Sequence, residues 1–253
     1  MISERWSYVL MLVSIPIIWK LISLASGLQA FILPSPELVF VTLFEQWRTF
    51  LYHTGITLAG AMTGYAISNA FAIAVAILFV YVPSTQNFLM PWFVVMKNIP
   101  FVTIAPILVI TLGQTPLPKV IIVFLVTFFP LLANVAAGLR AADKGLLDRL
   151  TVLDASKWQT FWKVRWPAAI PYYMAAHEVA FTGSIVSAVV AEFFFSRSGL
   201  GYLIVTAMDS YRADILYSVT LIAGILGVGN YLIVVWLRKR VLRWQADSLS
   251  ASG

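Results

Sequence analysis

Apolar runs of about 20 residues, the length an α-helix needs to cross the hydrocarbon core of a bilayer, recur along this chain with only short polar breaks between them. Six are readable: Trp6 to Ala25, Thr54 to Val82, Pro91 to Leu112, Lys119 to Leu139, Ala168 to Phe195 and Ile215 to Leu237. The third is irregular, because Pro91, Pro100 and Pro106 interrupt it. The expected fold is all-α, a polytopic membrane protein with six transmembrane helices, and residues 1–253 form one transmembrane domain.

Composition agrees. Of 253 residues 60% are apolar and 11% charged, and mean hydropathy is +0.88, whereas soluble proteins carry about 25% charged residues. Disordered and nucleic-acid-binding classes are excluded, and the net charge of +6 belongs to segments flanking the apolar runs. With no cysteine and only His53 and His177, no metal site is expected.

The first run begins after Arg5 like a signal peptide, but it outlasts a signal's apolar part and more spans follow, so it reads as a retained anchor. Lys20, near its far end, can snorkel to the interface. Leu33-Pro34-Ser35-Pro36-Glu37 is a rigid turn, followed by a short amphipathic segment from Glu37 to Leu51.

Placing the N-terminus in the cytoplasm puts the break near Ser84 to Met90, the stretch from Arg140 to Arg165 and the C-terminal tail on the same side. Arg5, Arg140, Lys144, Arg149, Lys157, Lys163, Arg165, Arg238, Lys239, Arg240 and Arg243 then lie inside, against Arg48, Lys119, Arg197 and Arg212 outside. The positive-inside rule supports that orientation. No low-complexity segment or internal repeat is evident. Small residues at four-residue spacing (Gly60 and Gly64; Ala66, Ala70 and Ala74; Ala176, Ala180 and Ser184) let helices approach closely, within the chain or across a dimer seam.

Residues 140–167, between spans 4 and 5, are too polar for lipid and too patterned for a linker. Leu146, Leu147, Leu150 and Leu153 alternate with Asp143, Lys144, Asp148 and Arg149 at helical spacing, an amphipathic helix. Asp154 and Ala155 interrupt it. Ser156 with Gln159 is a capping-box pattern that starts a second helix, which carries Trp158, Phe161 and Trp162 and is closed off by Pro167 and Pro171. These aromatics fit either an interfacial belt or a docking knob for a cytoplasmic partner.

The frame Asp148-Arg149-Leu150, three residues, Asp154, nine residues, Val164-Arg165-Trp166-Pro167 resembles the cytoplasmic loop signature of bacterial ABC importer permeases. Its spacing is complete, although Asp154 stands where that signature has glycine; aspartate tolerates the left-handed conformation better than most residues. Elsewhere Leu33-Pro34-Ser35-Pro36, Asn98-Ile99-Pro100, Ala105-Pro106, Phe128-Phe129-Pro130, Val190-Ala191-Glu192 and Gly199-Leu200-Gly201 resemble, in order, the nitrate/sulfonate/taurine/bicarbonate branch, which also takes pyrimidine and vitamin precursors. The resemblance implies an inner-membrane permease that pairs with a second permease copy, two cytoplasmic ATP-binding subunits and an external solute-binding protein. It makes Asp143 to Trp166 the ATPase-coupling segment, with Asp148, Asp154, Ala155, Ser156, Trp158, Phe161 and Pro167 as its key positions. No cofactor is then bound by this chain; ATP and magnesium belong to the partner ATPase. The sequence itself agrees, having no Gly-x4-Gly-Lys-Ser/Thr phosphate loop.

Ionisable residues inside spans are costly and mark function by default. Lys97 and Asn98 precede Pro100, where freed carbonyls can face a cavity; they read as pathway or gate residues, or Lys97 as an interfacial lysine. His177 and Glu178 do not form a metalloprotease motif, since Phe181 stands where its second histidine belongs. Related permeases commonly carry a basic residue at Glu178, so a buried carboxylate there would oppose a small anion and predicts a neutral or cationic cargo, such as a vitamin or pyrimidine precursor, over nitrate or bicarbonate; the other reading pairs Glu178 with His177's neighbourhood or with a basic residue of another span. The resemblance leaves a sulfonate among the small organic solutes expected. Glu192 precedes a glycine-bearing turn that either meets the binding protein or is capped by it, and His53 reads as interfacial. A competing class is a proton-coupled carrier with His177, Glu178 and Glu192 as its relay. An intramembrane enzyme lacks the nucleophile, base or metal cluster it requires.

Overall fold

The computed structural model describes residues 4–242, with side chains from residue 13 onward except that of Phe195. Regular structure among them is entirely helical: α1 (Glu4–Ala25), α2 (Pro36–Glu45), α3 (Trp47–Tyr81), α4 (Pro83–Asn98), α5 (Phe101–Leu112), α6 (Leu117–Arg140), α7 (Lys144–Val152), α8 (Lys157–Thr160), α9 (Trp166–Phe195), α10 (Leu200–Asp209) and α11 (Ala213–Val241). A π-helical turn, Phe161–Arg165, joins α8 to α9.

Among the described residues four helices are long and apolar enough to cross a membrane: α3, α6, the continuous rod Lys157–Phe194, and α11. The pair α4 and α5 makes a fifth if counted as one span, but its halves meet at 94°. The expectation of six spans is thus met in part. The first run is helical as α1, whose described apolar portion, Val13–Ala25, is shorter than a span.

Three boundaries differ from the sequence reading. Ser84 to Met90, expected as a polar break, lies within α4, which starts with Pro83 at its first turn, where a missing N–H costs nothing. Of the three prolines expected to disrupt span 3, Pro91 and Pro106 sit inside helices. Only Pro100 breaks the chain, because it forces Ile99 into an extended conformation (ψ 122°). Finally, Pro167 does not separate the amphipathic segment from span 5: the helix runs from Lys157 through the π turn without interruption.

The core is a three-helix stack with α6 packed between α3 and α9. Close approach explains the small residues: a Cβ on Gly64 would sit 2.7 Å from the Val120 carbonyl oxygen, and one on Gly138 would sit 2.8 Å from the Ala169 Cα. Ala176, Ala180 and Ser184 are buried in this stack, whereas Ala66, Ala70 and Ala74 face outward. One stripe therefore packs the chain on itself and the other does not. Phe79, Phe128, Leu131, Leu132 and Leu139 fill one end of the stack; Phe50, Val123, Ile185, Leu200 and Val219 fill the other.

Candidate functional site

The segment between α6 and α9 is built by local rules. Asp143 caps α7, its Oδ1 accepting from the Leu146 N–H at 2.8 Å. At the bend Asp154 adopts φ +50°, the left-handed conformation that aspartate enters more readily than most residues, while the Ala155 N–H returns to the Leu150 carbonyl at 2.9 Å. The capping box is complete: Gln159 N–H donates to Ser156 Oγ at 3.2 Å, and Ser156 N–H to Gln159 Oε1 at 2.9 Å. This satisfies donors that open a helix only one turn long before the π segment.

The aromatic residues divide by face. Trp158 is 70% exposed beside exposed Leu153 and Val152, whereas Phe161 is buried. Asp148 and Asp154 are exposed, and Ala155 and Pro167 half-buried. The Tyr81 hydroxyl donates to the Lys157 carbonyl at 3.0 Å, tying α8 to the end of α3. From Phe161 a column of rings runs up the rod through Trp166 (5.8 Å), Tyr173 (5.5 Å further) and His177 (4.1 Å further). There Tyr65 hydrogen-bonds His177 Nδ1 and Tyr173 donates to Asn69 at 3.0 Å.

On the opposite side of the rod, an open cavity of about 530 Å³ is lined by Phe101, Val126, Glu178, Val179, Thr182 and Tyr231, among others. A second of about 300 Å³, lined by Lys97, Ile99, Phe129 and Pro130, shares Phe101 and Val126 with it as common wall. Among the described residues Glu178 is the one acid lining either cavity, and it is not alone: its Oε1 lies 2.6 Å from Arg238 Nη1 of α11, an ion-pair approach rather than an aligned hydrogen bond. The carboxylate therefore contributes little net negative charge, and the charge argument for a neutral or cationic cargo loses its footing. Lys97 Nζ lies 4.3 Å from the centroid of Phe129. Asn98 turns back on its own helix, donating to the Val94 carbonyl at 2.6 Å.

Glu192 belongs to neither cavity wall. Its buried carboxylate accepts from Lys119 Nζ at 2.7 Å, from the Thr57 hydroxyl at 2.7 Å and from the Gly201 N–H at 3.1 Å. Lys119 also donates to the Ile56 carbonyl at 3.1 Å, and Thr57 accepts from the Leu200 N–H at 2.8 Å. The result joins α3, α6, α9 and the first turn of α10, whose N-terminus favours a carboxylate. Gly199 has φ +107°, and a Cβ there would lie 2.1 Å from the Glu192 carboxyl carbon. Glu192 thus caps its turn. His53 is buried in the same cluster instead of lying at an interface, its Nδ1 accepting from the Gly199 N–H at 2.9 Å.

Lys97 and Glu178 are brought to adjoining cavities, while His177 and Glu192 engage separate partners. No hydrogen bond among the described residues links His177, Glu178 and Glu192 into a relay. Three participants escaped sequence reasoning: Thr57, Lys119 and Arg238. Lys119, the first residue of span 4, and Arg238, just after span 6, enter the sequence reading only as orientation charges, although Gly60, which would place a Cβ 2.2 Å from Lys119 Cε, is the trace of a lysine folded inward.

Comparison with known proteins converges on transport. Residues 68–245 match the binding-protein-dependent transport system inner membrane component family. A probable ABC transporter permease of Haemophilus influenzae is 29% identical over 89% of this chain and 92% of its own. The formylaminopyrimidine transport permease ThiX of Halalkalibacterium halodurans is 26% identical over 90% and 92%, and the putative aliphatic sulfonates permease SsuC of Bacillus subtilis 25% over 90% and 83%. An inward-facing structure of the MetNI methionine ABC transporter shares the fold, with a TM-score of 0.60 over 82% of this chain and 98% of that one at 17% identity. A family match across most of the chain, on a bundle of apolar helices with a capped polar elbow, identifies this protein as a member of the binding-protein-dependent transport system inner membrane components, an ABC transporter permease and so a transport component, not an enzyme.

Proposed function

We propose that this chain is the membrane permease subunit of an ATP-driven importer, pairing with a second permease copy and two cytoplasmic ATP-binding subunits, and taking a small organic solute from an external binding protein. Its N- and C-termini face the cytoplasm of a prokaryote. The observation that carries the reading is the elbow α7–Asp154–α8, which offers Trp158, Leu153 and Val152 to a partner and continues without a break into the spanning rod. Closure of the ATPase pair pulls the two elbows together, and the rods carry that motion to the cavities, switching access from one side to the other. Relatives named for formylaminopyrimidine and for sulfonates and the largely apolar cavity wall support an organic cargo.

Purification in mild detergent from the native host tests this, with mass spectrometry of what accompanies the chain. Stoichiometric recovery of a soluble ATPase is expected; recovery of the chain alone under repeated gentle extraction contradicts the reading. Trp158→Ala is expected to abolish ATPase recovery while leaving the permease folded, because that ring is exposed.

A further inference from the structure

The elbow has a neck as well as an exposed face. It leaves α6 after Arg140 and rejoins the bundle at Arg165, whose Nη1 donates to the Leu139 carbonyl at 3.0 Å across 26 positions of sequence. That carbonyl is among the last four of α6, which no N–H of their own helix can meet, and a cation suits the negative end of a helix dipole. Among the described residues Arg165 joins no ion pair and its Nε is enclosed without an acceptor, so the Leu139 carbonyl is its one polar partner. The neighbouring Arg140 is turned away, to Gln86 of α4.

The turn that aims Arg165 is itself unusual. Phe161–Arg165 is π-helical, the Trp166 N–H reaching back to the Phe161 carbonyl, a geometry that is rare and found often at functional sites. It sets Trp166 against Phe161, ring centroids 5.8 Å apart, and leaves Arg165 facing the end of α6. Beside this bond Gly138 meets Ala169 so closely that a Cβ on the glycine would lie 2.8 Å from the Ala169 Cα. Contact between small residues sets how near two helices come but does not fix their position along the axis; a charged hydrogen bond is directional and does.

A push on Trp158 enters the rod directly, because that helix is continuous. To reach α6, which borders both cavities through Val126, it travels either back around the Asp154 bend and α7 or straight across the neck. We propose that Arg165 is a positioning residue for transport, the pin that closes the neck of the elbow and makes α6 and the rod move as one body when the ATPase pair closes. This rests on the importer reading above and adds to it the route by which motion enters α6.

The chain has no cysteine, so one introduced at Val179, exposed beside the larger cavity, reports access to that cavity alone. The permease and its co-purifying ATPase are placed in lipid nanodiscs, and maleimide modification of Val179→Cys is timed by mass spectrometry, without nucleotide and with magnesium-ATP plus vanadate. ATP hydrolysis is followed in parallel. With Arg165 in place, nucleotide is expected to change the labelling rate severalfold. Arg165→Met keeps the bound ATPase and hydrolyses ATP, since Trp158, Leu153 and Val152 are untouched, but loses the nucleotide-dependent change in labelling. Arg165→Lys, which still offers a charged donor to the Leu139 carbonyl, retains most of that change. An undiminished change in Arg165→Met overturns the pin and leaves the importer reading standing. Loss of the ATPase from Arg165→Met also overturns the pin, because the arginine then serves only the fold of the docking face. Failure of any ATPase to accompany the chain with Arg165 in place overturns the importer reading, and this proposal with it.

Discussion

Glu178 and Glu192 stand on one helix, each paired with a basic residue from another span, yet their surroundings differ in almost every respect. Glu192 is fully enclosed and Lys119 10% exposed, and both carboxylate oxygens are met, one by the ammonium and the other by a hydroxyl and a backbone N–H. Glu178 is 22% exposed and Arg238 43% exposed, and the carboxylate borders an open cavity with one oxygen imperfectly bonded. A buried pair owes its stability to complete hydrogen bonding, since desolvation otherwise outweighs attraction. A pair at a cavity wall is screened and worth less to folding, and it leaves charged groups at the edge of an open cavity. The first pair joins the helices; the second borders the space between them.

Removing one member of the enclosed pair has the largest expected effect. Glu192→Ala leaves the Lys119 ammonium buried beside Gly60 with a backbone carbonyl as its remaining partner, and breaking such a pair costs about 3–5 kcal/mol. Thermal scans in detergent should show the chain aggregating or melting far below wild type. Glu192→Gln combined with Lys119→Met removes both charges and keeps an oxygen for the Gly201 N–H, so it recovers part of the loss. If Glu192→Ala melts with wild type, the cluster is not a clamp.

Gly199→Ala ranks next. With φ +107° and ψ 174° the residue lies in a region nearly exclusive to glycine, at a strain of about 1–3 kcal/mol for any other residue, and the added methyl must displace the Glu192 carboxylate. The expected result is a lower melting temperature together with looser attachment of α10, read as faster hydrogen exchange at the Leu200 and Gly201 amides, whose acceptors are Thr57 and Glu192.

At the cavity the expected effect is smaller. Arg238→Met leaves the Glu178 carboxylate uncompensated beside an open cavity, and the loss of stability in the same thermal scans is expected to be smaller than for Glu192→Ala, whose partner is fully enclosed. Glu178→Gln leaves the Arg238 cation, 43% exposed, unpaired at a still smaller cost. Equal stability losses for Arg238→Met and Glu192→Ala would erase the distinction between the two pairs.

How each pair could be read from sequence follows from range. The capping box of Ser156 and Gln159 and the left-handed bend at Asp154 involve residues within one or two turns, so composition and spacing foretold them, and the structure has both. The apolar runs foretold the long helices for the same reason. Arg238 meets Glu178, and Lys119 meets Glu192, only after separate spans have packed; nothing near either carboxylate specifies its partner. His53 likewise looked interfacial because its acceptor role depends on the distant Gly199. Proline was over-read: three rings in one apolar run implied a generally irregular span, but a proline breaks a helix only where its neighbours do not compensate, and here the turn falls at Pro100 alone.

The smallest effect belongs to an ion pair at the far end of this scale, Lys20 with Glu37 at 2.9 Å, where the side chains are 38% and 63% exposed. The hydrogen bond from Lys20, aided by a backbone N–H and Ser35 at the start of α2, lowers the Glu37 carboxyl from the usual range to about 2. A carboxyl whose pKa is depressed by folding adds stability that is present above its unfolded value of about 4.5 and fades as the pH falls toward the folded value. Comparing wild type with Lys20→Met across pH 7 to pH 2 should therefore give a small constant difference in the neutral range that closes between about pH 4.5 and pH 2. Salt should shrink the same difference at neutral pH, since exposed charges are screened; the Glu192 and Lys119 pair, cut off from solvent, should show no such salt dependence. A Lys20→Met difference that ignored both salt and acid would mean that the lysine acts through its aliphatic stem against α2, and the graded series of three pairs would lose its exposed member.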